Sequence, residues 1–231
     1  MTTLTQHPPQ HTQLNRTARL AGLSYLGLAI SGAVGFLIVR SQLFEAGAAV
    51  ETAANLVDNE GLARLGIAAD MATVVTQALA ALYFFKLFRA VDTFAAVSLA
   101  AFGFMNCAAI LTSPMFTATA LDIALAGGVD DAQLLYQLSE AAWNVGGLFF
   151  GLWLIPMGWL TLRSGRMPRP LGWILIAGGI GYLLATYVTY VIPDADTLAE
   201  LLPLGATVGE VWMIGLLLWK GAGDPAPDAG G

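Results

Sequence analysis

"RSGRMPRP", residues 163–170, sets three arginines and two prolines in eight positions. Residues 141–162 before it carry no charged side chain, and neither do residues 171–193 after it. A helix rises about 1.5 Å per residue, so roughly 20 residues cross a hydrocarbon core of about 30 Å. Each flanking run is long enough for one crossing. The basic octet therefore reads as a turn between two spans, with Gly165 and the prolines ending one helix and starting the next.

Composition extends that reading to the whole chain. Of 231 residues, 57% are hydrophobic and 11% charged, and the mean hydropathy is +0.69. Soluble domains carry roughly 25% charged residues, so this chain lacks the solvating groups to cover a water-facing surface. An all-α polytopic membrane protein is expected, with six spans at about 20–39, 62–85, 93–116, 138–162, 171–192 and 203–219. The uncharged run of the first span exceeds the roughly 7–15 apolar residues of a cleaved signal peptide, so it counts as a span. Residues 1–17 and 221–231 are expected to be disordered tails. Segments 43–60 and 194–202 are rich in helix formers and predict short extracellular helices, the second capped by Asp194 or Asp196.

The basic residues divide unequally between the two sides. Arg16, Arg19, Lys86, Arg89, Arg163, Arg166, Arg169 and Lys220 share one face, and only Arg40 and Arg64 fall on the other. The Lys/Arg excess marks the cytoplasmic side, which places both termini in the cytoplasm and the chain in the cell (inner) membrane. Trp159, Trp173 and Trp219 lie near that interface and would anchor it.

Chemical motifs are few. The sequence has no phosphate-binding Walker loop, dinucleotide fingerprint or metalloprotease motif, and no span holds a histidine for haem. His7 and His11 lie in the N-terminal tail without a cysteine or carboxylate beside them, so no metal site and no cofactor is expected. Cys107, the sole cysteine, reads as a small buried apolar residue. The G-x-x-x-G at 147–151 and the glycines of 178–181 predict close helix packing within the chain, and nothing indicates a homo-oligomer. The expected partners are the lipid bilayer and a small molecule or ion, not nucleic acid.

Ionisable groups inside spans are costly in lipid and should face the bundle or water. Asp70 falls about 12 Å into the second span, and Glu210 about 15 Å from the cytoplasmic end of the sixth. Arg64, Glu140 and Asn144 sit nearer the outer surface, and Tyr182, Tyr187 and Tyr190 occupy the same half of the fifth span. In the inner half, only Gln77, seven residues beyond Asp70, is comparable. Glu210, Asp70, Arg64, Glu140, Asn144 and Tyr187 are therefore the candidate ligand- or proton-binding residues of one outward-opening cavity. Plainer readings stand beside this one: Arg64 can pair with Glu60 four residues earlier, and a buried acid can merely pin helices together.

"RLAGLSYL" (19–26), "RLGIAADM" (64–71), "GLWLIPMGWLTLRSGRMPRPLGWIL" (151–175), "GYLL" (181–184) and "GEVWMIGLLLWKG" (209–221) carry a resemblance to a known family. The chain resembles the bacterial membrane family called domain of unknown function 4386, over residues 19–221. The resemblance implies a multi-helix membrane protein and transfers no catalytic residue. Three functional classes follow: a small-molecule or ion binder or transporter, a structural or accessory subunit, and, more weakly, an intramembrane enzyme using paired acids.

Overall fold

The computed structural model describes residues 9–223. The elements are α1 (Pro9–Gly32), a π-helical segment (Ala33–Val39), α2 (Arg40–Leu43), α3 (Ala49–Asp58), α4 (Glu60–Phe88), α5 (Thr93–Leu125), α6 (Asp130–Ser164), α7 (Arg169–Val191), α8 (Asp196–Leu201) and α9 (Leu204–Lys220). No strand occurs among the described residues. Six helical stretches, beginning with Thr12–Leu43 and ending with Thr197–Lys220, are long and apolar enough to cross a membrane. The all-α polytopic architecture is as the sequence implies.

The helices overrun the expected spans. The first begins at Pro9, within the stretch expected to be a tail, and its π segment carries it past Arg40 to Leu43. Pro114 does not end α5, which continues to Leu125. At 33 residues α5 is about 50 Å long, well beyond a 30 Å hydrocarbon layer. Residues 1–8 and 224–231, including His7, lie outside the described residues. Both short extra-bundle helices occur, as α3 and α8.

Local sequence explains the helix ends. Asp92 accepts from the Ala95 backbone N–H at 3.1 Å and caps α5. Gly165, at φ 63°, ends α6 in the left-handed region that glycine tolerates. Pro170 sits in the first turn of α7, where its missing donor costs nothing.

The six spans pack as a closed ring: α1 on α4, α4 on α5, α5 on α6, α6 on α7, α7 on α9, and α9 back on α1. Small residues allow the close approaches. A Cβ on Gly151 would stand 2.6 Å from the Gly179 carbonyl oxygen, and one on Gly178 would stand 2.5 Å from the Ala206 Cα. Both glycine motifs are thus spent on contacts within the chain. Leu37, Ile38, Val75, Leu111, Met115 and Val211 are all exposed on the outer surface. In water such a surface would be an aggregation liability. Lipid is the solvent it suits.

The two ends of the bundle differ in charge. At one end the backbone N–H of Ala222 donates to Asn15 Oδ1 (3.0 Å), and Arg163 meets Asp92 (3.6 Å). Both described chain ends and the arginine-rich turn share this basic end. At the opposite, acidic end, α3 lies across the helix tips. It buries Thr52, Ala53 and Leu56, and its approach is tied down by a Glu45 N–H bond to Thr52 Oγ1 (3.0 Å).

Two apolar cores fill the bundle. One, nearer the basic end, contains Tyr25, Phe84, Phe88, Trp153, Leu154, Met157 and their neighbours. The other, nearer the acidic end, contains Val39, Leu43, Leu56, Leu121 and Tyr136. Between them on α4 come Asp70, Thr73 and Gln77; on α5, Asn106 and Ser113; on α6, Ser139. All six are buried. Asp70, Thr73 and Gln77 follow i, i+3, i+7 spacing, so one face of α4 presents all three inward.

Candidate functional site

The polar layer holds a buried arginine and a buried aspartate that do not touch. Arg40 is 8% exposed and Asp70 4%. The Arg40 guanidinium lies over the rings of Phe36 (5.6 Å) and Tyr136 (5.1 Å), and its Nη1 donates to the Tyr136 carbonyl (3.4 Å). Its Nη2 donates to Ser139 Oγ at 2.5 Å. Ser139 Oγ lies 2.8 Å from Ser113 Oγ, and Ser113 Oγ donates to Asp70 Oδ2 at 2.6 Å. Trp143 Nε1 also donates to Ser113 Oγ (3.1 Å).

Proton accounting fixes the direction of this chain. Ser113 has one hydroxyl hydrogen and gives it to the carboxylate, so Ser139 must be the donor between the two serines. The relay therefore runs Arg40 to Ser139 to Ser113 to Asp70. It ties the first, second, third and fourth spans together.

The π segment brings Arg40 to this place. Its C-terminal bond runs from the Arg40 N–H to the Gly35 carbonyl, and that altered register turns Arg40 into the bundle. Such segments are rare and concentrate at functional sites. Gly35 within it is required by contact: a Cβ there would stand 2.7 Å from Asp70 Oδ1. A cavity of about 10 Å³, the room one water-sized guest needs, is lined by Arg40, Asp70, Tyr136, Thr117, Gly66 and Leu56 among others. Leu56 comes from α3, so the surface helix closes the cavity toward the acidic end.

Deeper in the layer, three buried side chains hold unused hydrogen-bonding capacity. Gln77 Nε2 and Oε1, Asn106 Nδ2 and Oδ1, and Trp153 Nε1 have no partner, although these residues are at most 1% exposed. Packing contacts join the turns that carry them. Cys107 Sγ donates to the Val74 carbonyl at 3.5 Å, which sets this part of α5 against the Gln77 turn of α4. Trp153 Nε1 is 3.3 Å from where a Gly103 Cβ would stand, and Asn106 Oδ1 is 3.2 Å from the corresponding point at Gly146. Buried polar groups are normally paired, which sets this trio apart from the rest of the buried polar layer.

Glu210 occupies a second site. It is partly buried and accepts from Tyr25 Oη at 2.8 Å, a bond between the last span and the first. The Tyr25 ring packs edge-on against Phe84 and Trp153, with centroids 5.7 and 5.1 Å away. The expectation that Asp70 and Glu210 share one cavity does not hold. Asp70 sits against Gly35 and Glu210 against Tyr25. Ten residues of the first span separate those contacts, about 15 Å at helical rise.

The other candidates fall away from the buried pair. Arg64 is exposed and pairs with Glu60 at 2.7 Å, so the plainer reading applies. Glu140 is half-buried, near enough for its charge to act on Arg40. Asn144 contributes its backbone carbonyl, which accepts from Thr186 Oγ1 at 3.3 Å. Tyr187 is 61% exposed and faces outward from the bundle. Sequence reasoning missed Arg40, Ser113, Ser139, Trp143 and Tyr25. In the sequence Arg40 ends an uncharged run, which by itself points to the outer surface.

Outside the spans, the Asp92 carboxyl is held below the usual carboxylate range, first by the Ala95 N–H and then by the Trp159 indole. Trp159 Nε1 donates to Asp92 Oδ2 (3.4 Å), and the Arg163 guanidinium covers the Trp159 ring (5.4 Å). This cluster holds the arginine-rich turn against the start of α5. It has the character of a structural clasp.

No curated protein and no solved structure matches the chain. A family model does match, and its extent, residues 20–221, takes in the ring of spans, the Arg40–Asp70 relay and the Tyr25–Glu210 pair. The chain belongs to the family described as Domain of unknown function (DUF4386).

Proposed function

We propose that this multi-pass membrane protein binds a small solute or ion at the Arg40–Asp70 site and carries it along the polar layer. The observation behind this reading is the separation of the buried arginine and aspartate. Burying opposite charges in a membrane protein is costly, and direct contact recovers the most energy. Here the carboxylate and guanidinium make no direct ion pair, yet both line one small cavity. An arrangement that only pins helices gains from closing that gap. One that admits a guest gains from leaving it open. The unpartnered Gln77, Asn106 and Trp153 groups continue the polar layer toward Tyr25 and Glu210, which favours passage over binding alone.

In the orientation we propose, the basic end is cytoplasmic and the cavity lies in the outer half of the cell (inner) membrane. Cysteine labelling in a Cys107→Ser background tests this. A cysteine at Asp131 should react from outside and one at Ser164 should not; the reverse pattern overturns the orientation.

Thermal unfolding in detergent, titrated with monatomic cations, monatomic anions and small zwitterions, tests the binding reading. A bound solute raises stability in proportion to RT ln(1 + [L]/Kd). Wild type should respond to one class, and Asp70→Asn and Arg40→Gln should abolish that response. If no class shifts wild type while both variants are simply destabilised, the structural-subunit reading prevails. That second reading has its own support in a serine relay that ties four spans together. Paired-acid catalysis has less support, because the residues that the two acids contact, Gly35 and Tyr25, are ten positions apart along the first span.

A further inference from the structure

A groove lies at the basic end, away from the polar layer, between α1 and α9. It encloses about 540 Å³ and is lined by Thr12, Asn15, Arg16, Arg19, Leu20, Leu23 and Leu218. That volume falls in the roughly 300–1,000 Å³ range of small-ligand clefts. Its chemistry is graded along one line. Arg16, Arg19, Leu20 and Leu23 follow i, i+3, i+4, i+7 spacing, so they form a single stripe on α1. The stripe is cationic in the first turns and apolar beyond, and it is about 10 Å long at helical rise. Leu218 of α9 forms the opposite wall at the apolar end, beside Trp219 and Lys220 at the close of the last span. No acidic residue lines the groove, and neither arginine has an ion-pair partner among the described residues.

We infer that this groove is a binding site for one anionic phospholipid of the adjoining leaflet. The phosphate sits between the Arg16 and Arg19 guanidinium groups, which are suited to bidentate phosphate recognition. One acyl chain runs along Leu20, Leu23 and Leu218. The order of the stripe is what selects a lipid over a soluble anion. A free phosphate would use only the arginine end, whereas a phospholipid would also cover Leu20, Leu23 and Leu218 in the same groove. Basic pockets between spans near the membrane surface are recognised by anionic headgroups for the same reason. The groove lies between the first and last spans, so an occupant bridges the ring where α9 closes on α1.

The test uses the full-length protein in a neutral detergent. Phosphatidylglycerol is compared with phosphatidylcholine of identical chains, with soluble glycerol phosphate as a third arm, by thermal unfolding and by native mass spectrometry. Phosphatidylglycerol should raise the melting temperature more than phosphatidylcholine and leave one retained lipid per protein. Arg16→Gln with Arg19→Gln should weaken that binding at least tenfold, and Arg16→Lys with Arg19→Lys should restore part of it. Arg163→Gln with Arg169→Gln removes the same charge from the same end and should leave the binding intact. Equal losses from both charge-removing pairs would reduce the effect to diffuse attraction and overturn the site. An equal response to glycerol phosphate would make it a headgroup-only anion site. Phosphatidylglycerol binding that appears only after deletion of residues 224–231, which carry Asp224 and Asp228, would assign the groove to the chain's own acidic end.

Discussion

Ser113→Ala removes a single oxygen that serves three partners. It donates to Asp70 Oδ2 at 2.6 Å, accepts from Trp143 Nε1 at 3.1 Å, and meets Ser139 Oγ at 2.8 Å. Hydrogen bonds inside membrane bundles are worth about 0.6 kcal/mol on average and about 1.7 at most. The two contacts with neutral groups then account for roughly 1–2 kcal/mol together. The bond to the carboxylate is charge-assisted, about 1.5–3 kcal/mol, and its loss strands an acceptor in a buried place. The expected cost is therefore about 3–4 kcal/mol. The volume lost is one oxygen, so packing adds little. Trp143→Phe keeps the ring's bulk and removes only a neutral donor, for a loss of about 0.5–1 kcal/mol. Reversible unfolding in mixed micelles, driven by a denaturing detergent, reads these differences. Combined with Asp70→Asn, Ser113→Ala should show a coupling of at least about 1 kcal/mol, as expected for groups sharing one bond. A Ser113→Ala protein within about 0.5 kcal/mol of wild type, and additive with Asp70→Asn, would refute the relay.

Arg64→Gln should change stability by no more than about 0.5 kcal/mol, because its pair with Glu60 is exposed; a loss above 2 kcal/mol in the same unfolding assay would return Arg64 to the polar layer. Gly151→Ala should cost about 1–3 kcal/mol, because its Cβ would meet the Gly179 carbonyl at 2.6 Å. Gly215→Ala, with nothing within 4 Å, should be neutral or stabilising, and equal effects at the two glycines would contradict the packing described for α6 and α7. Asp92→Asn keeps a capping side chain and removes the charge. The folded-state carboxyl is depressed, so its contribution is fully present above the unfolded value of about 4 and fades as pH falls through the folded one. The melting-temperature gap between wild type and Asp92→Asn should therefore be open at neutral pH and close below about pH 4; a gap that widens in acid would reverse the assignment.

The six-span architecture was legible because it depends on quantities a linear sequence carries: uncharged run lengths and the turn at 163–170. The failure of Arg64 was legible too. Arg64 and Asp70 are six residues apart, about 600° of helix, which leaves them on faces roughly 120° apart. Depth alone had grouped them. Arg40 could not be read in the same way. A charge ending an uncharged run looks like an interface residue, and only the π register, which no simple periodicity announces, takes the helix onward and turns that side chain inward. Ser113 and Ser139 were hidden for a different reason. Serine is tolerated at many positions in membrane helices, and its role here comes entirely from the neighbours that the fold supplies.

The separation of Asp70 from Glu210 follows from the ring. The second span touches α1 and α5, while the sixth touches α7 and α1. The first span lies between the second and the sixth, and each carboxylate takes its own contact on it, Gly35 for Asp70 and Tyr25 for Glu210. Run lengths in the sequence bring the two acids to a similar level and so make them read as neighbours, whereas their contacts on the first span, Gly35 and Tyr25, are ten residues apart along the helix axis. The same ring gives the two sites a physical connection. A shift of α1 along its axis would change the contacts of both carboxylates at once, through one rigid element. The Gln77, Asn106 and Trp153 groups supply a second route, since Trp153 packs on Tyr25 and Gln77 shares a helix face with Asp70. Asn106→Leu distinguishes them: it removes the buried amide without touching α1. If the polar layer carries solute, transport should fail in Asn106→Leu while binding at Arg40–Asp70, read by the same thermal shift, survives. If α1 alone links the sites, both should persist.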